Sequence, residues 1–209
     1  MKQTVELVND ELTARRCRRF WYDVYVLEMG RHLDEDGLAN HVGNELSDPY
    51  TRSADLFAAS TNDNVIGTLQ SIYVARGNCD KYLSLYGLQN RSTADHAVIS
   101  VTNKLMVAPQ YRASGLAFRL AAATYRKGLR DGIEENYIDC NDYLIEFYKR
   151  IGYREHLGWI EHVDYGRVYS MVFELHGVQQ MRRVRSPLLK LYQSHLNSPT
   201  QTEGVTVHG

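Results

Sequence analysis

The apolar positions of this chain change their spacing several times, and each change marks an element. Over residues 10–28, Cys17, Phe20, Trp21, Val24 and Tyr25 alternate with Arg15, Arg16, Arg19 and Asp23 at helical intervals, and Gly30 offers a stop. Residues 31–54 turn polar and rich in Asp, Asn and Gly, which predicts a loop with at most one short helix. "ADLFAAS" and "VIGTLQSIYVA" are strand-like and separated by "TNDN", so they should pair as a hairpin. Residues 77–95 are irregular again. "HAVISVTNKLMVA" is a β-branched strand interrupted by Asn103 and Lys104. From about 114 to 131, Leu116, Leu120, Ala123 and Leu129 fall roughly on one helix face. "NYIDCN" reads as a strand, and "DYLIEFYKRIG" as a helix capped by Asn141 or Asp142 and closed by Gly152. Two more strands, "EHLGWIEHV" and "RVYSMVFEL", precede a helical run over 178–196 that Pro187 should break. Early strands followed by strand–helix–strand–helix predict a mixed α/β sheet with at least one parallel crossover. Without internal repeats, residues 1–196 are expected to form one domain, and the polar segment 197–209 a disordered tail.

Composition narrows the classes. The 209 residues carry 24 Lys plus Arg against 25 Asp plus Glu, which offers no electrostatic basis for nucleic acid or a membrane surface. Cys17, Cys79 and Cys140 are far apart, with no zinc-like Cys/His spacing, and His96, His156 and His162 are scattered. No metal is expected. The charged start lacks the apolar stretch of a signal peptide, and no window has the length of a membrane span. A cytoplasmic protein with reduced thiols is the expectation.

The stretch "LMVAPQYRASGLAFRL", residues 105–120, carries the chemistry. A strand ends, a short loop follows, and a helix begins. The loop and first helical turn leave N–H groups without partners, and the positive helix end adds to their pull on an anion. Gly115 allows close backbone approach, and Arg112 brings a planar, charged fork. This arrangement suits a diphosphate or phosphopantetheine. On local physics alone, a plain helix N-terminus with a surface arginine and a packing glycine explains it equally well.

A second segment, "NDYLIEFYKRIGYRE", shifts that balance. In order and spacing the two resemble the GNAT acyltransferase superfamily. Arg112, Gly115 and Ala117 match its Q/R-x-x-G-x-G/A loop, with Ala117 where many members have glycine. Asn141, Tyr148, Gly152 and Tyr153 match its Asn followed by Y-x-x-x-G-F/Y. The resemblance covers about residues 56–175. It implies a mostly antiparallel twisted sheet flanked by helices, whose central strand pair splays to admit a pantetheine arm. The donor, acyl-CoA or an acyl-phosphopantetheine, would be held by the backbone of Met106 and Val107 and, at its phosphate, by Arg112, Ala113, Ser114, Gly115, Leu116 and Ala117, with Asn141 nearby.

"RRFWYDVYVLEMG", "DPY" and "FAAS" with "NVIGTLQ" resemble the branch of acyl-homoserine-lactone synthases and long-chain N-acyl amino acid synthases, at Arg19, Val24, Tyr25, Glu28, Asp48 and Tyr50. That branch implies an N-acyltransferase, with acyl carrier protein or acyl-CoA as donor and a small amino-acid-like amine as acceptor. A homodimer stays open. Val101 and Lys104 stand where homoserine-lactone synthases carry an acid and an arginine, so the expected acceptor is a different amine. Tyr148 matches the usual general acid for the leaving thiolate. Glu28 is the candidate base, Asp48 and Tyr25 are candidate acceptor contacts, and Cys140 is a candidate acyl-accepting nucleophile, although no histidine is placed in sequence to activate it. Arg182, Arg183 and Arg185 are candidates for docking an acidic carrier protein. The rival function is a non-catalytic module of the same fold that binds acyl-CoA or acyl carrier protein.

Overall fold

The computed structural model describes residues 3–31, 38–47, 49–62, 64–162 and 165–197; Asp48 and the tail from 198 onward lie outside them. An edge strand, β1 (Thr4–Leu7), precedes α1 (Glu11–Tyr22), whose start is fixed by Asp10 accepting the Thr13 N–H at 2.8 Å. The helix passes directly into a π-helical turn, Asp23–Glu28, so the helical run predicted over 10–28 is continuous but changes pitch. A two-residue hairpin follows, β2 (Ala39–Asn40) and β3 (Glu45–Leu46), where a loop with one short helix was expected. β4 (Ala54–Thr61) and β5 (Asn64–Tyr73) form the anticipated hairpin.

The supposedly irregular 77–95 region holds α2 (Asp80–Leu85) and the start of α3 (Thr93–Ala97), which begins on a Ser92–Asp95 capping box. Then come β6 (Ile99–Val107), α4 (Leu116–Arg130), β7 (Glu135–Cys140) and α5 (Ile145–Ile151). Neither Asn141 nor Asp142 caps α5. Asp142 instead accepts the Tyr143 N–H at 2.7 Å in the preceding 3₁₀ turn. β8 (Arg154–His162), β9 (Gly166–Glu174), α6 (Val178–Arg183) and α7 (Leu188–Leu196) complete the order, with Pro187 opening α7 at the predicted break.

Seven strands form one sheet in the order β1-β4-β5-β6-β7-β9-β8, and only the β6–β7 pair is parallel. Side chains alternate across it. Leu56 and Ala58 of β4 pack with Trp21 and Val24 on the α1 side, while Phe57 and Ala59 pack with Leu116 and Leu120 of α4. Leu116 and Leu120 are fully buried, each contributing about 1.5–3 kcal/mol of transfer free energy.

The site is created by a failure of pairing. β6 and β7 pair only at Ile99–Glu135, Ser100–Asn136 and Val101–Tyr137, yet β6 runs on to Val107 and β7 to Cys140. A bulge explains the divergence. Between Thr68–Met106 and Gln70–Asn103, β6 spends three steps against two of β5, and Lys104 takes a φ of +51°. The bulge is held from the α1 side: Trp21 Nε1 donates to Thr68 Oγ1 at 2.9 Å, and Thr68 Oγ1 donates to the Lys104 carbonyl at 3.0 Å. Lys104 Nζ donates to Gln70 Oε1 at 2.9 Å and lies 4.5 Å from the Trp21 ring centre. At the crotch, buried Asn136 donates to Ser100 Oγ at 2.8 Å and Thr102 Oγ1 at 2.9 Å, and accepts from the Tyr153 phenol. The splayed central pair implied by the resemblance is therefore present, with a polar clamp at its apex.

Candidate active site

Between the diverging strands lies a cleft of about 500 Å³, within the range of small-molecule sites. Thr102 to Val107 form one wall, and Asp139, Cys140 and Asn141 the other. Val24, Tyr25, Glu28, Met29 and Arg31, on and just after the π-helical turn, close one side; Leu144, Phe147 and Tyr148 line it from α5. Arg112 and Ala117 stand at the turn before α4. A continuous cleft thus joins that turn to Tyr148.

The turn has the donors the sequence called for. Among the described residues, no acceptor meets the N–H groups of Ala113, Gly115, Leu116, Ala117 or Phe118. Gly115 has a φ of +75°, and a Cβ there would meet no protein atom within 4 Å, so backbone conformation is the reason for this glycine. Leu116 contributes only backbone, because its side chain is in the core. Ser114 Oγ is spent on the Tyr111 carbonyl at 2.6 Å. Arg112 is partly committed as well: Nε donates to the Val107 carbonyl at 3.0 Å and Nη2 to Glu28 at 2.5 Å.

These contacts orient β6. Ala108 N–H donates to Ile66 of β5, while the Val107 carbonyl meets Arg112. By alternation, Leu105 and Val107 turn their backbone groups to the cleft, whereas Met106 faces β5. Of the expected pair, Val107 thus presents its backbone groups to the cleft and Met106 does not, while Leu105 does.

Tyr148 is buried, with 5% of its surface exposed, yet its phenol lines the cleft and has no hydrogen-bond partner among the described residues. Burial above all, with Tyr153, Cys140 and Asp139 adding to it, pushes its pKa well up, so the phenol keeps its proton at neutral pH. Cys140 is also buried. Its thiol is pushed up to about 12 by burial and by the charges of Asp139 and Asp142, the opposite of an activated nucleophile. Glu28 reaches the cleft but is ion-paired with Arg112. Tyr25 lines the cleft and stacks on Tyr165 at 5.7 Å. Asn141 donates to the Tyr143 phenol at 3.2 Å on the rim. Asp48 lies outside the described residues. Arg19 pairs with Glu45 at 3.4 Å, and Tyr50 packs on Tyr82.

Sequence reasoning passed over Asp139, Arg31 and Tyr165, and read Asn103 only as an interruption. Asp139 lines the cleft and accepts the Tyr86 phenol at 2.5 Å; a lone acid inside "YIDC" was its available signal. For Arg31 and Tyr165, 134 positions apart in sequence, there was none. Among the described residues, no group of three His, Cys, Asp or Glu side chains is placed to hold a metal ion, and no helix is long and apolar enough to cross a membrane.

A splayed parallel pair, unpartnered N–H groups at a helix start and an unpartnered phenol between them are the features of an acyltransferase. The model of the acetyltransferase (GNAT) family matches residues 18–153, and the chain belongs to that family. No curated protein matches in sequence. Among solved structures, the CoA-dependent acyl-homoserine lactone synthase BjaI with SAM and isopentyl-CoA superposes with a TM-score of 0.67 at 13% identity, covering 93% of this chain and 100% of that one. FeeM, an N-acyl amino acid synthase from uncultured soil microbes, gives 0.63 at 14% identity, covering 91% and 99%. The acyl-homoserine-lactone synthase LasI gives 0.66 at 12% identity, covering 86% and 93%. At such identities these likenesses establish the shared fold.

Proposed function

We propose that this enzyme moves an acyl group from a phosphopantetheine thioester, on acyl-CoA or acyl carrier protein, to the amine of a small amino-acid-like acceptor. The observation that carries this reading is the unpartnered Tyr148 phenol in a cleft leading from the turn where the N–H groups of Ala113, Gly115, Leu116, Ala117 and Phe118 are free. In this scheme those N–H groups and the free Arg112 Nη1 hold the phosphate, and the arm lies along Leu105 and Val107. The amine attacks the thioester carbonyl, a β6 N–H meets the oxyanion, and Tyr148 gives its proton to the departing sulfur. The proton lost by the amine passes to Asp139, which lines the cleft with one oxygen engaged by the Tyr86 phenol, whereas the Glu28 charge is neutralised by Arg112. The high thiol pKa of Cys140 favours direct transfer over an acyl-enzyme. Arg182, Arg183 and Arg185, exposed and without ion pairs among the described residues, suit an acidic carrier protein.

The test is thiol release from acyl-CoA and acyl-carrier donors with a mixture of amino acids. Amine-dependent release, with an N-acyl product whose mass is that of donor plus amine less the released thiol, supports the reading. Tight donor binding without release identifies a binding module instead. Tyr148→Phe should lower kcat about 10²-fold while leaving donor affinity within twofold; an unchanged rate would remove Tyr148 from its role.

A further inference from the structure

Arg31 lines the cleft just after the π-helical turn, in an unusual electrostatic position. Its guanidinium carbon lies 4.5 Å from the Tyr165 ring centre and 5.3 Å from that of Tyr25, and the two rings stack on each other with only 11° between their planes. Ring faces satisfy a cation through its charge and leave the in-plane N–H fork unused. Arg31 has no ion pair among the described residues, and its Nη1 is buried without any acceptor. The other charges on the cleft wall are answered: Arg112 by Glu28, Lys104 by Gln70 and Trp21, and Asp139 by Tyr86. A shielded guanidinium N–H without a partner is costly, and that cost is relieved when a carboxylate docks on the fork.

A second orphan lies in the same cleft. Asn103 donates Nδ2 to the Tyr82 phenol at 2.8 Å, and this leaves Oδ1 buried with no donor. The phenols of Tyr25, Tyr82 and Tyr165 are close enough to perturb one another, which places the amide of Asn103 and the fork of Arg31 around one aromatic patch. One end lacks an acceptor and the other lacks a donor. A free α-amino acid supplies both, with its carboxylate to Arg31 and its amine to Asn103, whose position on β6 immediately precedes the bulge beside the thioester path.

We infer that Arg31 binds the carboxylate of the acceptor and Asn103 its amine, so that the acceptor is an amino acid with a free α-carboxylate rather than a neutral or cationic amine. This rests on the acyl-transfer reading for its catalytic readout but not for its binding readout. The experiment compares a panel of amino acids with their carboxamides, both as acceptors for an acyl-CoA and as ligands by calorimetry without donor. The wild-type protein should favour the acid over its amide by about 10²-fold in kcat/KM and in Kd. Arg31→Met should abolish that preference and raise acceptor KM without altering donor KM, and Arg31→Lys should restore part of it. Equal use and equal binding of acid and amide by the wild-type protein would overturn the inference, and this measurement needs no variant to fold. Acid-selective binding without thiol release would uphold the Arg31 site while sinking acyl transfer. Thiol release with amides as fast as with acids would do the reverse.

Discussion

At the scale of single residues, chemistry follows from burial as much as from identity. Cys140 and Tyr148 both line the cleft, and both are pushed up by removal from water, with opposite consequences. A raised pKa leaves a phenol protonated and fit to donate; in a thiol it suppresses the nucleophilic anion. Cys140→Ala should therefore keep amine-dependent thiol release within about threefold of wild type, and intact mass after mixing with donor alone should show no acyl adduct on either protein. An adduct confined to the wild-type protein would establish a covalent intermediate. Gly152 was legible in sequence as a helix stop and Gly115 as a point of close backbone approach; the φ of +75° at Gly115 came only from the structure. The structure adds a steric reason at Gly152, where φ is +123° and a Cβ would lie 2.7 Å from the Phe173 ring. Glu28 was legible only as a carboxylate on a helix, because its neutralising partner comes from 84 residues away.

Elements are shaped here by small irregularities. Asn103 and Lys104 broke the β-branched run of β6, and that polar interruption is where the bulge forms and the strand turns from β7. The clamp on the other side of the divergence is Asn136. Removing its side chain leaves the Tyr153 phenol and the hydroxyls of Ser100 and Thr102 without it in a buried setting, at about 1–3 kcal/mol for each group left unpaired. Asn136→Ala should lower the urea midpoint accordingly at unchanged m-value, and weaken donor binding because the apex of the cleft loosens. A loss of unfolding free energy below about 0.5 kcal/mol would mean that water replaces the amide without loss. The short helices α2 and α3 were missed because their hydrophobic period spans too few turns to register. The Ser92–Asp95 capping box was the signal left unused.

For the whole molecule, the acid limb of stability is set by carboxylates held in their charged form. Asp131, at the end of α4, is opposed by burial, but hydrogen bonds from Lys127 and Tyr73 and the charges of Lys127 and Arg76 outweigh it and lower its pKa. Asp10 is lowered by the Thr13 N–H and Asp95 by Ser92. As pH falls, the unfolded chain takes up these protons first, so stability present above the ordinary carboxylate range is lost on the way down through the folded-state values. Tm should be nearly flat from neutrality to about pH 5 and fall below about pH 4, with a shallower fall in Asp131→Asn; calorimetric scans across this range check it. By itself the sequence determined most of the strands and helices and the strand–loop–helix turn at Val107–Leu116, because these depend on periodicity and local turn geometry; Tyr148 stood out only through the resemblance. Only the tertiary structure decided how far β6 leaves β7, that Glu28 is bound to Arg112, and that Arg31 lies against two stacked tyrosines with Nη1 buried and unpartnered. Each of these depends on through-space contact between segments whose separation along the chain carries no periodic trace.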